Sequence, residues 1–205
     1  MRDQTVAEYL EHLAAREPAP GGGAAAALAA AQGAALLGMV ARYSDGAKYA
    51  EHAEVIGGVL TEADALRARS LQLAADDAEA FSAVGAAYAL PKATDEDKAA
   101  RSAAIAAALV GAAEPPAAVI EVGRRLVALA EVLLPVGNRN VITDVAAAAD
   151  AARAAVTTAR VNVEINLGGI KDAGEAARLR AALVDVDDLA ARADAVTSAV
   201  RATIA

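Results

Sequence analysis

Cysteine and tryptophan are absent from these 205 residues, and phenylalanine occurs once. Without cysteine the chain has no disulfide, no thiolate nucleophile and no thiolate-bound metal, which suits a reducing, cytoplasmic setting. Aromatics make up only 2% of the residues, so a core has to be assembled from Ala, Val and Leu. Strands favour β-branched and aromatic residues whereas Ala heads the helix scale, and the chain is read as all-α with no sheet. Basic residues are also few. The 19 Lys and Arg against 27 Asp and Glu give a formal charge of -8, and no basic cluster of nucleic-acid type stands out, so neither nucleic acid nor an anionic membrane is expected as a partner. The start, MRDQTVAEYLEHL, mixes charged with apolar residues and does not have the pattern of a leader peptide.

What is abundant is small and apolar. The stretch PAPGGGAAAALAAAQGAALLGMVARYSDG, residues 18–46, sets a glycine turn before an Ala/Gly helix over 24–40. The first N–H groups of a helix lack internal partners and carry the positive end of its dipole, so Gly21, Gly22 and Gly23 expose bare backbone to an anion or a carbonyl. The simpler reading of the same glycines is a tight turn. Residues 21–41 are long enough to span a membrane and mean hydropathy is +0.34, but Ala, Gly and Gln32 drive insertion weakly, and the run is read as the buried central helix of a bundle.

Further helices are expected over about 5–15, 50–89, 95–113, 117–134, from 140 or 143 to 167, 173–184 and 187–203. Thr5 with Glu8 and Thr94 with Asp97 form capping boxes, and Pro115-Pro116 is taken as a break. The whole, 1–205, is read as one helical domain.

Polar residues that interrupt apolar faces are the candidates for chemistry. Asp77, Phe81, Val84 and Tyr88 share one helical stripe, which places the Asp77 carboxylate against apolar surface and raises its affinity for a proton unless a cation or N–H groups hold it ionised. Lys92, just past Pro91, is the candidate cation, and a buried ion pair or cap is the alternative reading. In GNRNVITD, Asn138 and Asn140 flank a turn and Asp144 opens the next helix, a pattern of either a binding loop or a cap. Asn162 and Asn166 lie one turn apart on a helix, suited to a ligand or to interhelical hydrogen bonds. Asp144 and Asn162 are separated by roughly 27 Å of helix, so a site containing both needs a long ligand or a second subunit. The two histidines and the acids show no metal spacing, and no nucleotide-binding or acyl-enzyme pattern is present.

Four stretches in this order, PAPGGGAAA, LAADDAEAFSAVGAAYALPKAT, GNRNVITDVAAAA and ARVNVEINLGGIKD, resemble the cyclodeaminase domain of formiminotransferase-cyclodeaminase and its stand-alone bacterial relatives, which include methenyltetrahydrofolate cyclohydrolases. The resemblance runs from the first helix to Asp172. It implies a cytoplasmic, all-helical homodimer acting on tetrahydrofolate one-carbon units by acid/base chemistry, with no cofactor beyond the folate substrate and no metal. On this resemblance Asp77 is the acid/base, Lys92 its charge partner or water orienter and Asp144 the rival base. Gly21, Gly22, Gly23, Phe81, Asn138, Asn140, Asn162 and Asn166 would bind substrate. Ala24 and Thr143 stand where relatives often carry Ser. The alternative is a non-catalytic helical dimer that holds a folate or another anion at the glycine loop.

Overall fold

The computed structural model describes residues 4–205, and among these there is no strand. The elements are α1 (Val6–Ala14), α2 (Gly22–Arg42), α3 (Ala53–Ala89), α4 (Asp95–Val136), α5 (Ile142–Leu167), α6 (Ala173–Ala181) and α7 (Val186–Ile204), with 3-10 turns at Ala47–His52 and Arg139–Val141. Helices α2, α3, α4 and α5 form a ring in which each packs on the next, and α7 covers α5 and α4 from outside. The Ala/Gly composition of α2 has a direct consequence here: most of its residues are buried and its neighbours come close to its backbone. A Cβ at Gly33 would lie 3.1 Å from the Ala148 carbonyl of α5, and one at Gly123 of α4 would collide with Val156 of α5. Small residues thus substitute for the bulky side chains the composition lacks.

Both capping boxes are present. Thr5 Oγ1 accepts from the Glu8 amide at 3.2 Å while the Thr5 amide donates to Glu8 at 2.7 Å, and Thr94 and Asp97 make the same exchange at 3.0 Å each way. Gly57, Gly58 and Gly85 leave α3 unbroken.

The expected break at Pro115-Pro116 is absent: α4 runs continuously for 42 residues. A helical proline lacks the N–H that would bond the carbonyl four residues earlier. For Pro116 that carbonyl belongs to Ala112, and Asn166 Nδ2 of α5 donates to it at 3.3 Å. For Pro115 it belongs to Gly111, which is exposed and open to water. A tertiary hydrogen bond therefore carries the helix through the pair. Asn166→Ala would leave the buried Ala112 carbonyl unpaired, and a loss of about 1–3 kcal/mol in unfolding free energy is expected by denaturant titration.

At 37 and 42 residues, α3 and α4 are each at least about 55 Å long against about 30 Å for α2. Every buried residue of α4 lies at or after Ala112. The C-terminal turns of α3 and the N-terminal turns of α4 therefore form an arm that projects past the amino end of α2. Phe81, Tyr88 and Leu90 are 49%, 53% and 40% exposed on it. Of the expected stripe, Val84 is buried, but Phe81 and Tyr88 stand half exposed.

Candidate active site

The amino end of α2 is where Gly22, Gly23, Asp77 and Asn162 meet. Its N-cap, Gly21, has no side chain to satisfy the first N–H groups, and the Asp77 carboxylate of α3 takes that part by accepting from the Ala24 amide. The approach requires glycine: a Cβ at Gly23 would collide with the carboxylate, with Oδ2 at 2.8 Å. A Cβ at Gly22 would lie 3.3 Å from Asn162 Nδ2 of α5. Three helices far apart in sequence thus bring Gly22, Gly23, Asp77 and Asn162 together.

Burial raises the Asp77 carboxyl above the ordinary carboxylate range, and the Ala24 N–H opposes that shift in part. No cation forms an ion pair with Asp77 among the described residues. Its sequence neighbour is different: Asp76 accepts from Gln72 at 2.8 Å and faces Arg69 at 3.7 Å. Asp77 is a half-buried acid with no ion-pair partner among the described residues, and burial shifts it toward its neutral form.

Tyr9 of α1, which the sequence alone does not single out, belongs to the same place. Its hydroxyl is buried without a hydrogen-bond partner among the described residues. Burial, with the Asp77 charge, pushes the phenol upward. The one clue in the sequence was an oxygen on the apolar face of an amphipathic helix. Tyr9→Phe removes a buried, unpaired hydroxyl, so thermal denaturation should show stability unchanged or higher by up to about 1 kcal/mol; a fall would mean that the oxygen has a partner.

Asn162 Nδ2 donates to the Thr158 carbonyl at 2.9 Å. Asn166 donates to the carbonyls of Ala112 and Asn162, so its amide nitrogen is engaged between helices. Phe81, one turn beyond Asp77, stands half exposed on the arm.

The other selected residues lie elsewhere. Asn138 ties the far end of α2 to the start of α5: its amide donates to Ser44 Oγ at 2.8 Å, its Nδ2 to the Tyr43 carbonyl at 2.6 Å, and its Oδ1 accepts from the Asn140 amide at 3.0 Å. Asp144 occupies the first turn of α5 at the same end. Because α2 and α5 run antiparallel, Asn138, Asn140 and Asp144 are about 30 Å from the glycine turn within one chain. Lys92 follows the end of α3, about 20 Å along that helix from Asp77, and lines a cavity with Lys98, Arg101 and Lys171. No group of three or more His, Asp or Glu side chains converges among the described residues.

The chain is similar along its length to known proteins. The family profile described as formiminotransferase-cyclodeaminase matches residues 5–185. A methenyltetrahydrofolate cyclohydrolase of Methylorubrum extorquens is 40% identical over 203 residues, covering 98% of this chain and 96% of that protein. The formimidoyltransferase-cyclodeaminase of Rattus norvegicus is 33% identical over 171 residues, and the match spans 32% of its length. The crystal structure of a formiminotetrahydrofolate cyclodeaminase from Thermotoga maritima superposes with a TM-score of 0.87 at 28% identity, over 100% of this chain and 99% of that one.

Proposed function

The chain belongs to the formiminotransferase-cyclodeaminase family and is an enzyme of tetrahydrofolate one-carbon chemistry, and from that premise we propose that it opens the 5,10-methenyl bridge with water, Asp77 carrying the proton. The observation that supports this most is the unpaired, half-buried Asp77 carboxylate at the bare amino end of α2. Of the two reactions in the family, hydrolysis is favoured because the methenyltetrahydrofolate cyclohydrolase matches at 40% identity over nearly the full length of both chains.

The methenyl carbon lies between N5 and N10 and is electrophilic. A water oxygen adds to it while the Asp77 carboxylate takes one of the water's protons. The carboxylic acid then returns that proton to N5 as the bond from N5 to carbon breaks. The remaining hydroxyl releases its proton to solvent as the formyl C=O forms on N10. Charge and atoms balance: cationic methenyl substrate and water give neutral 10-formyl product and one proton. This sequence calls for one group that is basic in the first step and acidic in the second, which a carboxyl group with a raised pKa supplies without a metal. Gly22 and Gly23 let the Asn162 and Asp77 side chains sit directly against the amino end of α2, and Asn162 retains its Oδ1 as an acceptor for the ring's N–H groups.

The resemblance to the Thermotoga cyclodeaminase supports a second reading with the same residues. There N10 would attack the carbon of a 5-formimino group protonated from solvent, Asp77 would take the N10 proton, and the resulting NH2 group would leave with that proton as ammonia, giving the methenyl cation. Loss of the methenyl chromophore with purified protein tests the first reading, and release of ammonia from the formimino substrate tests the second.

A homodimer is part of the proposal. The exposed Phe81, Tyr88 and Leu90 of the arm lie at the site's end of the bundle, as does Ile165 of α5, 76% exposed, and a second copy of the same arm supplies a matching apolar face. Sedimentation at twice the chain's 20.4 kDa is expected. Helices α2 and α4 are long and apolar enough to cross a membrane, yet 61% of the apolar window of α2 is buried within the bundle. A cytoplasmic enzyme working without membrane or nucleic acid fits that packing and the overall negative charge.

A further inference from the structure

We infer that the cavity lined by Lys92, Lys98, Arg101 and Lys171 is the subsite for the glutamate end of the folate, binding its two carboxylates while the ring is held at Asp77; this rests on the proposed function. The cavity, of about 350 Å³, sits where the loop after α3, the first turns of α4 and the segment after α5 come together, with Ser102 and Ile105 completing its wall.

Its charge is unusual for this chain. Many guanidinium groups elsewhere are matched by acids, among them Arg124 with Asp185, Arg125 with Glu62 and Arg192 with Glu131. In the cavity only Lys98 has an acid partner, the exposed Asp95 at 2.8 Å. Lys92 and Lys171 pair with no carboxylate among the described residues, and Lys171 reaches only Ser102 Oγ, at 3.3 Å. Arg101 donates twice to the Tyr88 carbonyl and lies over the Tyr88 ring, 5.5 Å from its centroid, which fixes it at the wall. Four cations held together in a protein of charge -8 repel one another unless an anion joins them, and the field they create draws a dianion out of an otherwise repelling surface.

The cavity also stands at a suitable distance. It lies about 20 Å from Asp77 along α3, and about 10 Å from Asn162 along α5 to Gly169, which lines it. A folate is extended, with its ring at one end, two ionised glutamate carboxylates at the other and an aminobenzoyl group between. The half-exposed Phe81, one turn from Asp77, stands on the arm between the two places and offers a surface to that middle group.

The test pairs the double variant Lys92→Met/Lys171→Met with two substrates, 5,10-methenyltetrahydrofolate and the corresponding methenyltetrahydropteroate, which lacks the glutamate. Arg101 is left in place because it also holds Tyr88. The expected result is a KM for the folate raised about tenfold or more with kcat little changed. The pteroate should be turned over alike by both proteins, and the rise of the folate KM with salt should be weaker in the variant. Equal loss on both substrates, or a fall in kcat alone, would overturn the assignment. If neither substrate is turned over by the wild-type protein, the proposed reaction fails but the subsite is decided by calorimetry with p-aminobenzoylglutamate. Binding that is lost in the variant, and that p-aminobenzoate and inorganic phosphate do not reproduce, supports it. Absence of binding, or equal binding of phosphate, overturns it in favour of no site or a general anion pocket.

Discussion

Asp77→Asn removes turnover, with kcat lower by about 10²–10⁴, while the fold persists. An asparagine retains an oxygen that can accept from the Ala24 amide, so the link between α3 and the amino end of α2 survives. It cannot take a proton from water and return it to N5. The effect on stability has the opposite sign to the effect on activity. Burial raises the Asp77 pKa above the ordinary 3.8, so the folded state binds the proton more tightly than the unfolded state. The carboxyl imposes no charge penalty below 3.8, and stability falls as pH rises from there through the raised folded value. At neutral pH the substitution removes that penalty. Thermal unfolding of Asp77→Asn should therefore occur at an unchanged or higher temperature at pH 7, with the gain disappearing as pH is lowered through this window. A variant that is inactive because it is unfolded would contradict this account of the residue. The same shift places the acidic limb of the wild-type pH–rate profile above the usual carboxylate range.

Gly23→Ala is expected to be comparably severe for a purely steric reason. The added methyl would occupy the position of the Asp77 carboxylate, touching both of its oxygens. Either the carboxylate swings away and loses the Ala24 amide, or α2 moves off α3. The first outcome costs activity and the second also costs about 1–3 kcal/mol of stability through the disturbed packing. Gly57→Ala is the control: a methyl there meets nothing within 4 Å, and in the second turn of α3 it should stabilise by up to about 0.5–1 kcal/mol. Activity measurements on both variants, with unfolding curves, separate a specific need for space at Gly23 from a general intolerance of alanine.

Features that depend on neighbours in sequence were readable from sequence. The two capping boxes and the central Ala/Gly helix follow from local spacing, and the structure contains each, whereas the stripe through Asp77 buries Val84 but leaves Phe81 and Tyr88 exposed. Features decided by tertiary partners were not. Nothing near Pro115-Pro116 signals that an asparagine 50 residues later supplies the missing donor. The contact of Asp77 with Gly23 was equally invisible, since a stripe gives the direction of a side chain but not what lies opposite. Lys92 looked like a partner for Asp77 because both flank one apolar segment, yet 13 or more residues of unbroken helix carry them apart. Helix rise gave the separation of Asp144 from Asn162, and the antiparallel pairing of α2 with α5 puts Asn138 and Asn140 at the far end with Asp144. Tyr9 was overlooked because a tyrosine on an amphipathic face is ordinary; only its buried, unpartnered oxygen distinguishes it.

The most direct test of Asp77 as proton carrier is the rate of loss of the methenyl chromophore of 5,10-methenyltetrahydrofolate, followed at neutral pH with wild-type protein, with Asp77→Asn and without protein. The expected result is acceleration by the wild type that falls by about 10²–10⁴ in the variant, with the variant at least as stable as the wild type. Undiminished acceleration by a folded Asp77→Asn protein would contradict it.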